Sequence, residues 1–114
     1  MAMSKADWAK ADAIARRLAK DVDRNELGKI VAYAHRVRDP GKVITLAQRL
    51  PQSGYVRSKR TRGYLQRIAR VLSDELAGLE RERALAILAW AFRLLTTYQT
   101  EMGTGKAAGR RQRG

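Results

Sequence analysis

The chain has 114 residues, with 24 Lys and Arg against 11 Asp and Glu, so its formal net charge is +13. This length suits one domain with a single modest core and excludes two independent cores. The absence of Cys excludes a disulfide framework and a thiolate zinc site, and the charge predicts an anionic partner, either a nucleic acid or a membrane surface.

The sequence shows neither an export signal nor a membrane span. The first ten residues place polar Ser4, Lys5 and Asp7 where a signal peptide has its apolar core. The longest apolar run, residues 84–92, has nine residues, whereas a membrane-spanning helix needs about 20. We therefore expect a cytoplasmic protein without a membrane partner.

Three amphipathic helices are predicted in the N-terminal half. Ser4 and Asp7 form a capping box at the start of the first helix, and Asp23 begins the second. Asp39 caps the third helix, whose first position is Pro40, because proline lacks only a donor that is unpaired there. The β-branched run 43–45 is rejected as a strand, since the apolar spacing beyond it is helical and no partner strand is visible.

Two more helices follow a break at residues 50–54. Ser58 caps a fourth helix that reaches about Leu72, and residues 73–78 form a turn or a short helix. The last helix, over about residues 80–98, is apolar on nearly every side, which predicts a position at the centre of the bundle or between subunits. The predicted fold is all-α, a compact bundle of about five helices within residues 1–102.

The C-terminal residues 103–114 differ from the rest of the chain in composition. They contain Gly, small polar residues and cations, with no apolar side chain larger than Ala. This composition predicts a flexible basic tail outside the bundle. Its predicted nucleic-acid-binding residues are Lys106, Arg110, Arg111 and Arg113.

Positive charge is concentrated in the predicted fourth helix. Residues 57–72 hold six basic and no acidic side chains, whereas solvated faces usually mix the two signs. In a helical projection all but the first of these cations lie opposite Leu65, Ile68 and Leu72, along about 16 Å of helix at about 1.5 Å per residue. We predict that these cations bind the phosphates of a nucleic acid. They are Arg57, Lys59, Arg60, Arg62, Arg67 and Arg70.

Two other interpretations of this basic segment stay open, a solvated surface and a helix lying on an anionic membrane. A membrane-lying helix more often carries Trp, Phe and several Leu on its apolar face. Gly63 lies amid the cations, where the absence of a Cβ lets a phosphate approach the backbone. Tyr55 precedes them and either stacks on a base or lies at the edge of the core.

No catalytic set, metal site or cofactor site is predicted. His35 is the single histidine, and a catalytic zinc needs three protein ligands, so we interpret it as a surface or capping residue. A metal-free ribonuclease that uses His35 with Arg36 or Arg38 and a tyrosine stays as an alternative. Residues 103–106 fail as a phosphate-binding loop because Ala107 stands where Ser or Thr is required.

Three features together resemble a known family: residues 47–51, then Ser58 and Lys59, and the apolar last helix around residues 84–95, all in a short, acid-poor helical chain. These features resemble the small subunits of CRISPR RNA-guided effector complexes, especially of type III. The resemblance implies copies stacked along a guide–target RNA duplex or a single-stranded target, beside other subunits of a ribonucleoprotein. It also implies that Lys and Arg hold the backbone without cutting it, and it favours RNA over DNA as the partner.

Two further binding proteins compete with that interpretation. The connection at residues 39–41 permits a helix-turn-helix DNA-binding protein or antitoxin, but such a protein needs Asn, Gln, Ser or Thr beside its Arg to read bases. The fourth helix offers only Thr61 and Gln66, which favours holding the backbone over reading a sequence. A ribosome-associated or RNA-chaperone protein is the other alternative.

Overall fold

The structure, a computed structural model, describes residues 3–54 and 56–101. Within these ranges it contains no strand, which confirms the all-α prediction. The helices are α1 Lys5–Ala19, α2 Arg24–Val37, α3 Pro40–Arg49, α4 Lys59–Leu76 and α5 Arg81–Glu101, with a 3₁₀ turn at Leu50–Gln52 after α3. The predictions for Tyr55 and for the tail fall outside the described residues.

The predicted caps begin the first four helices. The Oγ of Ser4 accepts a hydrogen bond from the Asp7 amide at 3.1 Å, and the Asp7 carboxylate accepts one from the Ser4 amide at 3.1 Å. Asp23 and Asp39 likewise accept from amides in the first turns of α2 and α3. These side chains pair amides that have no partner within the helix, so local chemistry fixes where each helix starts. Ser58 does the same for α4, accepting from the Thr61 amide at 3.2 Å.

The predicted end of the fourth helix near Leu72 is wrong. Helix α4 continues through Ser73 to Leu76, and Leu76 is 4% exposed, so it extends the apolar stripe by another turn. No proline or glycine occurs between Leu72 and Gly78, and Gly78 has a φ of +78° that L side chains rarely adopt. The glycine therefore marks the end of the helix more accurately than the cluster of polar residues before it.

All five helices contribute to one core. Helix α1 packs against both α4 and α5, and α5 also contacts α2 and α3. Ile87, Leu88 and Leu95 of α5 are fully buried, as the prediction of a central last helix requires. Trp90 and Leu94, on the outer side of α5, are only partly buried. Although apolar residues occur on nearly every side of this helix, only one side of it is fully buried.

Asp7 is the one buried charged residue within the described ranges. Arg83 of α5 donates to its Oδ1 from Nη2 at 2.6 Å and from Nε at 3.1 Å. These hydrogen bonds, and the one from the Ser4 amide, hold the pKa of Asp7 below its ordinary value. The contact joins the start of α1 to the first turn of α5.

We expect Asp7→Asn to lower the melting temperature at pH 7. We also expect the melting temperature of this variant to decrease less between pH 7 and acidic pH than that of the unaltered protein. The pKa of Asp7 is lowered by folding, so its stabilisation is complete above the ordinary value of 3.8 and is lost as the pH falls through the lower, folded value. Melting curves between about pH 7 and pH 2 measure both effects. Glu101→Gln, at an exposed position, is the control; equal melting temperatures for Asp7→Asn and the unaltered protein at pH 7 would contradict the expectation.

Candidate nucleic-acid interface

The outward side of α4 presents cations that no acidic side chain neutralises. Arg57 is exposed just before the helix, and Lys59, Arg60 and Arg70 are exposed along it. None of these side chains forms an ion pair with an acid in residues 3–54 or 56–101. We call these four residues the α4 basic face. The positive end of the helix dipole lies at the same end as Lys59 and Arg60, so it adds to the positive potential there.

The other two predicted cations of this segment, Arg62 and Arg67, contact groups of the protein itself. The Nη2 of Arg67 donates to the carbonyl of Arg17 at 3.3 Å and lies 3.5 Å from the carboxylate of Asp21. This guanidinium therefore meets the C-terminal end of α1, where unpaired carbonyls favour a cation. Arg62 is half-buried and donates to the carbonyl of Val56 at 3.5 Å. The predicted set of cations thus divides into an open group and a group that stabilises the bundle.

The acids that follow in α4 do not neutralise the basic face. Asp74 and Glu75 contact Arg17 of α1, at 2.9 Å and 3.2 Å between nitrogen and oxygen. Hydrogen bonds to Asp74 and then to Glu75 raise the pKa of Arg17 above its ordinary value. Arg70 lies one turn before Asp74, yet the Asp74 carboxylate is bound to α1. The negative charge of α4 is therefore directed at α1, and the positive charge faces solvent.

Gly63 lies in the middle of the basic face without any packing reason to be glycine. A Cβ built there meets no heavy atom within 4 Å, and the residue is exposed. Gly28 of α2 is the opposite case, because a Cβ there would lie 3.1 Å from the ring of Phe92. Close approach of α2 and α5 thus explains the glycine at position 28. No contact within the protein explains the glycine at position 63.

Sequence reasoning missed a second polar surface, the exposed face of α3. Lys42, Thr45, Gln48 and Arg49 are exposed there, opposite the buried side of the helix. Part of this face lines an open groove between α2 and α3 that also includes the ring of Tyr33. The polar residues from Lys42 to Arg49 recur at helical spacing in the sequence, between the apolar positions that indicate the buried face.

His35 has a structural contact. Its Nδ1 donates to the carbonyl of Val31 at 3.0 Å, one turn earlier in α2, and the ring is exposed. Within residues 3–54 and 56–101 no cluster of three or more His, Cys, Asp or Glu has the arrangement of a metal site. No helix in those same ranges has the length and apolar composition needed to cross a bilayer.

Comparisons of this chain with protein-family models, with curated proteins and with solved structures found no match. The similarity to CRISPR small subunits stays a prediction, as do RNA and further subunits as partners. Charge and geometry of the α4 basic face are therefore the basis on which a function is inferred.

Proposed function

We propose that the protein is a non-catalytic subunit that holds RNA through its phosphate backbone, using the α4 basic face. One observation carries the proposal: the four exposed cations on or just before α4 have no acidic partner among the described residues, while the acids of the same helix are bound to Arg17. Each such cation displaces a condensed counterion when it meets a phosphate, and this release drives binding to polyanions.

The composition of the face supports contact with the backbone rather than with bases. Gln66 is the exposed amide among its cations, and amide or hydroxyl side chains are the groups that usually accompany Arg in reading base edges. Contacts to phosphate position a nucleic acid without carrying sequence information. We therefore expect affinities for unrelated strands of equal length to agree within a few-fold.

The binding experiment compares RNA and DNA strands of two unrelated sequences, and duplexes of each, at one salt concentration. Similar affinities across sequences support the proposal, and a strong preference for one sequence opposes it. Sequence preference confined to duplex DNA would instead favour a helix-turn-helix protein that reads bases with α3. The specific observation behind that second candidate is the exposed set Lys42, Thr45, Gln48 and Arg49 on a helix that follows α2 after two residues.

As part of the same proposal, the chain acts within a CRISPR-type effector ribonucleoprotein. The resemblance of its sequence to the type III small subunits supports this assembly, and the helical bundle is compatible with it. Native mass measurement of the protein purified from its own cell tests the assembly. Co-purifying subunits with a guide RNA are the expected result, and a free monomer would oppose the assignment.

Gly63→Ala is expected to move stability and affinity in opposite directions. Replacing glycine by alanine inside an exposed helix should stabilise the protein by about 0.5–1 kcal/mol, because nothing obstructs the new methyl group. The same methyl group should hold a phosphate away from the backbone and weaken nucleic-acid binding. Thermal melting and strand binding measure the two effects.

Gln66→Ala is the matched control for Gly63→Ala, since it changes an uncharged residue on the same side of α4. We expect it to leave the affinity nearly unchanged. If Gly63→Ala raises the melting temperature and keeps full affinity, no phosphate approaches the backbone at this position.

A further inference from the structure

A tryptophan pair lies at the seam between α1 and α5, and one of its two side chains, Trp8, is exposed. Trp8 is 41% exposed, the highest exposure of any large apolar side chain in the described residues. Its ring centroid is 4.8 Å from that of Trp90, with the planes tilted by 59°. The guanidinium carbon of Arg93 lies 4.7 Å from the Trp90 ring centroid. Trp90 thus contacts both a cation and a second ring, and Trp8 keeps part of its own ring exposed to solvent.

The charge around the pair is positive. Lys5, one turn before Trp8, and Arg93 are both exposed. The acid one turn after Trp8 is Asp12, which accepts hydrogen bonds from the hydroxyl of Tyr98 and from Arg16. The hydrogen bond from Tyr98 and then that from Arg16 lower the pKa of Asp12, so it stays ionised and paired. The two acids nearest to Trp8 along α1, Asp7 and Asp12, are thus both paired with arginines.

A third aromatic residue and a second cation continue the same seam. The guanidinium carbon of Arg16 lies 4.6 Å from the ring centroid of Tyr98. Tyr98 follows Trp90 by two turns of α5, a separation of about 12 Å at about 1.5 Å per residue. Aromatic rings and guanidinium planes are the groups on which unpaired bases stack, whatever their sequence.

We propose that Trp8 stacks on an unpaired base of a single strand, with Trp90 as its rigid support and with Lys5 and Arg93 meeting the neighbouring phosphates. This inference rests on the proposed function and adds a preference for single strands over duplexes. Bases in a duplex are already stacked and expose only their edges, so they gain nothing from Trp8. A second copy of this chain fits the surface less well, because a symmetric contact would bring like charges from both copies together.

Tryptophan fluorescence, excited at a wavelength that tyrosine does not absorb, observes this site alone, since both tryptophans of the chain lie in the pair. We expect an oligouridine or oligothymidine strand to quench the emission, and a duplex with the same number of phosphates to quench it less. Trp8→Ala should weaken single-strand binding about 5- to 150-fold, the loss of one stacked base, without changing the dependence on salt. Trp8→Phe keeps a ring and should retain most of the affinity.

The results separate this inference from the proposed function. If Trp8→Ala binds single strands as tightly as the unaltered protein, while loss of Lys59, Arg60 and Arg70 weakens binding, the stacking site is wrong and the basic face stands. If both variants keep full affinity, both proposals are wrong. A change in oligomeric state on Trp8→Ala with unchanged affinity identifies the pair as a contact between copies and overturns the inference. Should Trp8→Ala fail to fold, equal quenching by single strand and duplex overturns it in the unaltered protein.

Discussion

Replacing Lys59, Arg60 and Arg70 together by alanine is expected to lower the affinity for single strands about 100-fold at about 0.1 M salt. Each phosphate contact on a single strand contributes about 0.7 logarithmic units of affinity per tenfold change in salt. We take the contribution of counterion release to vanish at about 1 M salt. Losing three contacts then lowers the logarithm of the affinity by about two units at about 0.1 M salt. The variant should keep its fold, because all three side chains are exposed and none forms an ion pair within the described residues.

The matched control removes the same charge outside α4 through Lys20→Ala, Arg24→Ala and Arg81→Ala, whose side chains form no ion pair within the described residues. These three side chains are also exposed, so the net charge of the protein falls equally in the two variants. Fluorescence anisotropy with a labelled strand measures both. A similar loss of affinity in both variants would mean that total charge, rather than the placement of charge on α4, determines binding.

Leu88→Ala is expected to lower the free energy of unfolding by about 2–5 kcal/mol, the usual cost of emptying a buried leucine site. Leu88 is 1% exposed on the side of α5 that faces the core. Chemical denaturation followed by circular dichroism measures the loss. Leu94→Ala, on the partly buried outer side of the same helix, should cost less. Equal costs at the two positions would show that the buried side of α5 is not the more strongly packed one.

Local chemistry made the helix starts predictable. Ser4, Asp23, Asp39 and Ser58 each pair amides of the turn that follows them, and such contacts need no information from distant residues. Apolar periodicity predicted the all-α class, because the helical spacing of apolar residues is also a local property of the sequence. It failed at the end of α4, where the polar residues after Leu72 stay helical because Leu76 reaches the core.

The arrangement of the candidate site depended on long-range packing. Arg67 and Arg70 are indistinguishable by periodicity as members of a basic face, but α1 packs beside α4 and captures Arg67 at a carbonyl 50 positions away in the chain. The packing of α1 against α4 also pairs Asp74 and Glu75 with Arg17, so these two acids do not neutralise the cations of α4. Trp8 and Trp90 likewise meet only because α1 and α5 pack together. Sequence patterns indicate which side chains lie outside the core, and helix packing determines which of these contact other groups of the protein.

Salt dependence of single-strand binding tests the central claim most directly, that exposed cations of α4 hold phosphates. For the unaltered protein, about four contacts by the α4 basic face predict a slope near −2.8 in a plot of log affinity against log salt, and steeper if residues 103–114 contribute. Removing Lys59, Arg60 and Arg70 should make the slope less steep by about two units, independent of the sequence of the strand. Identical slopes for the variant and the unaltered protein would contradict the account.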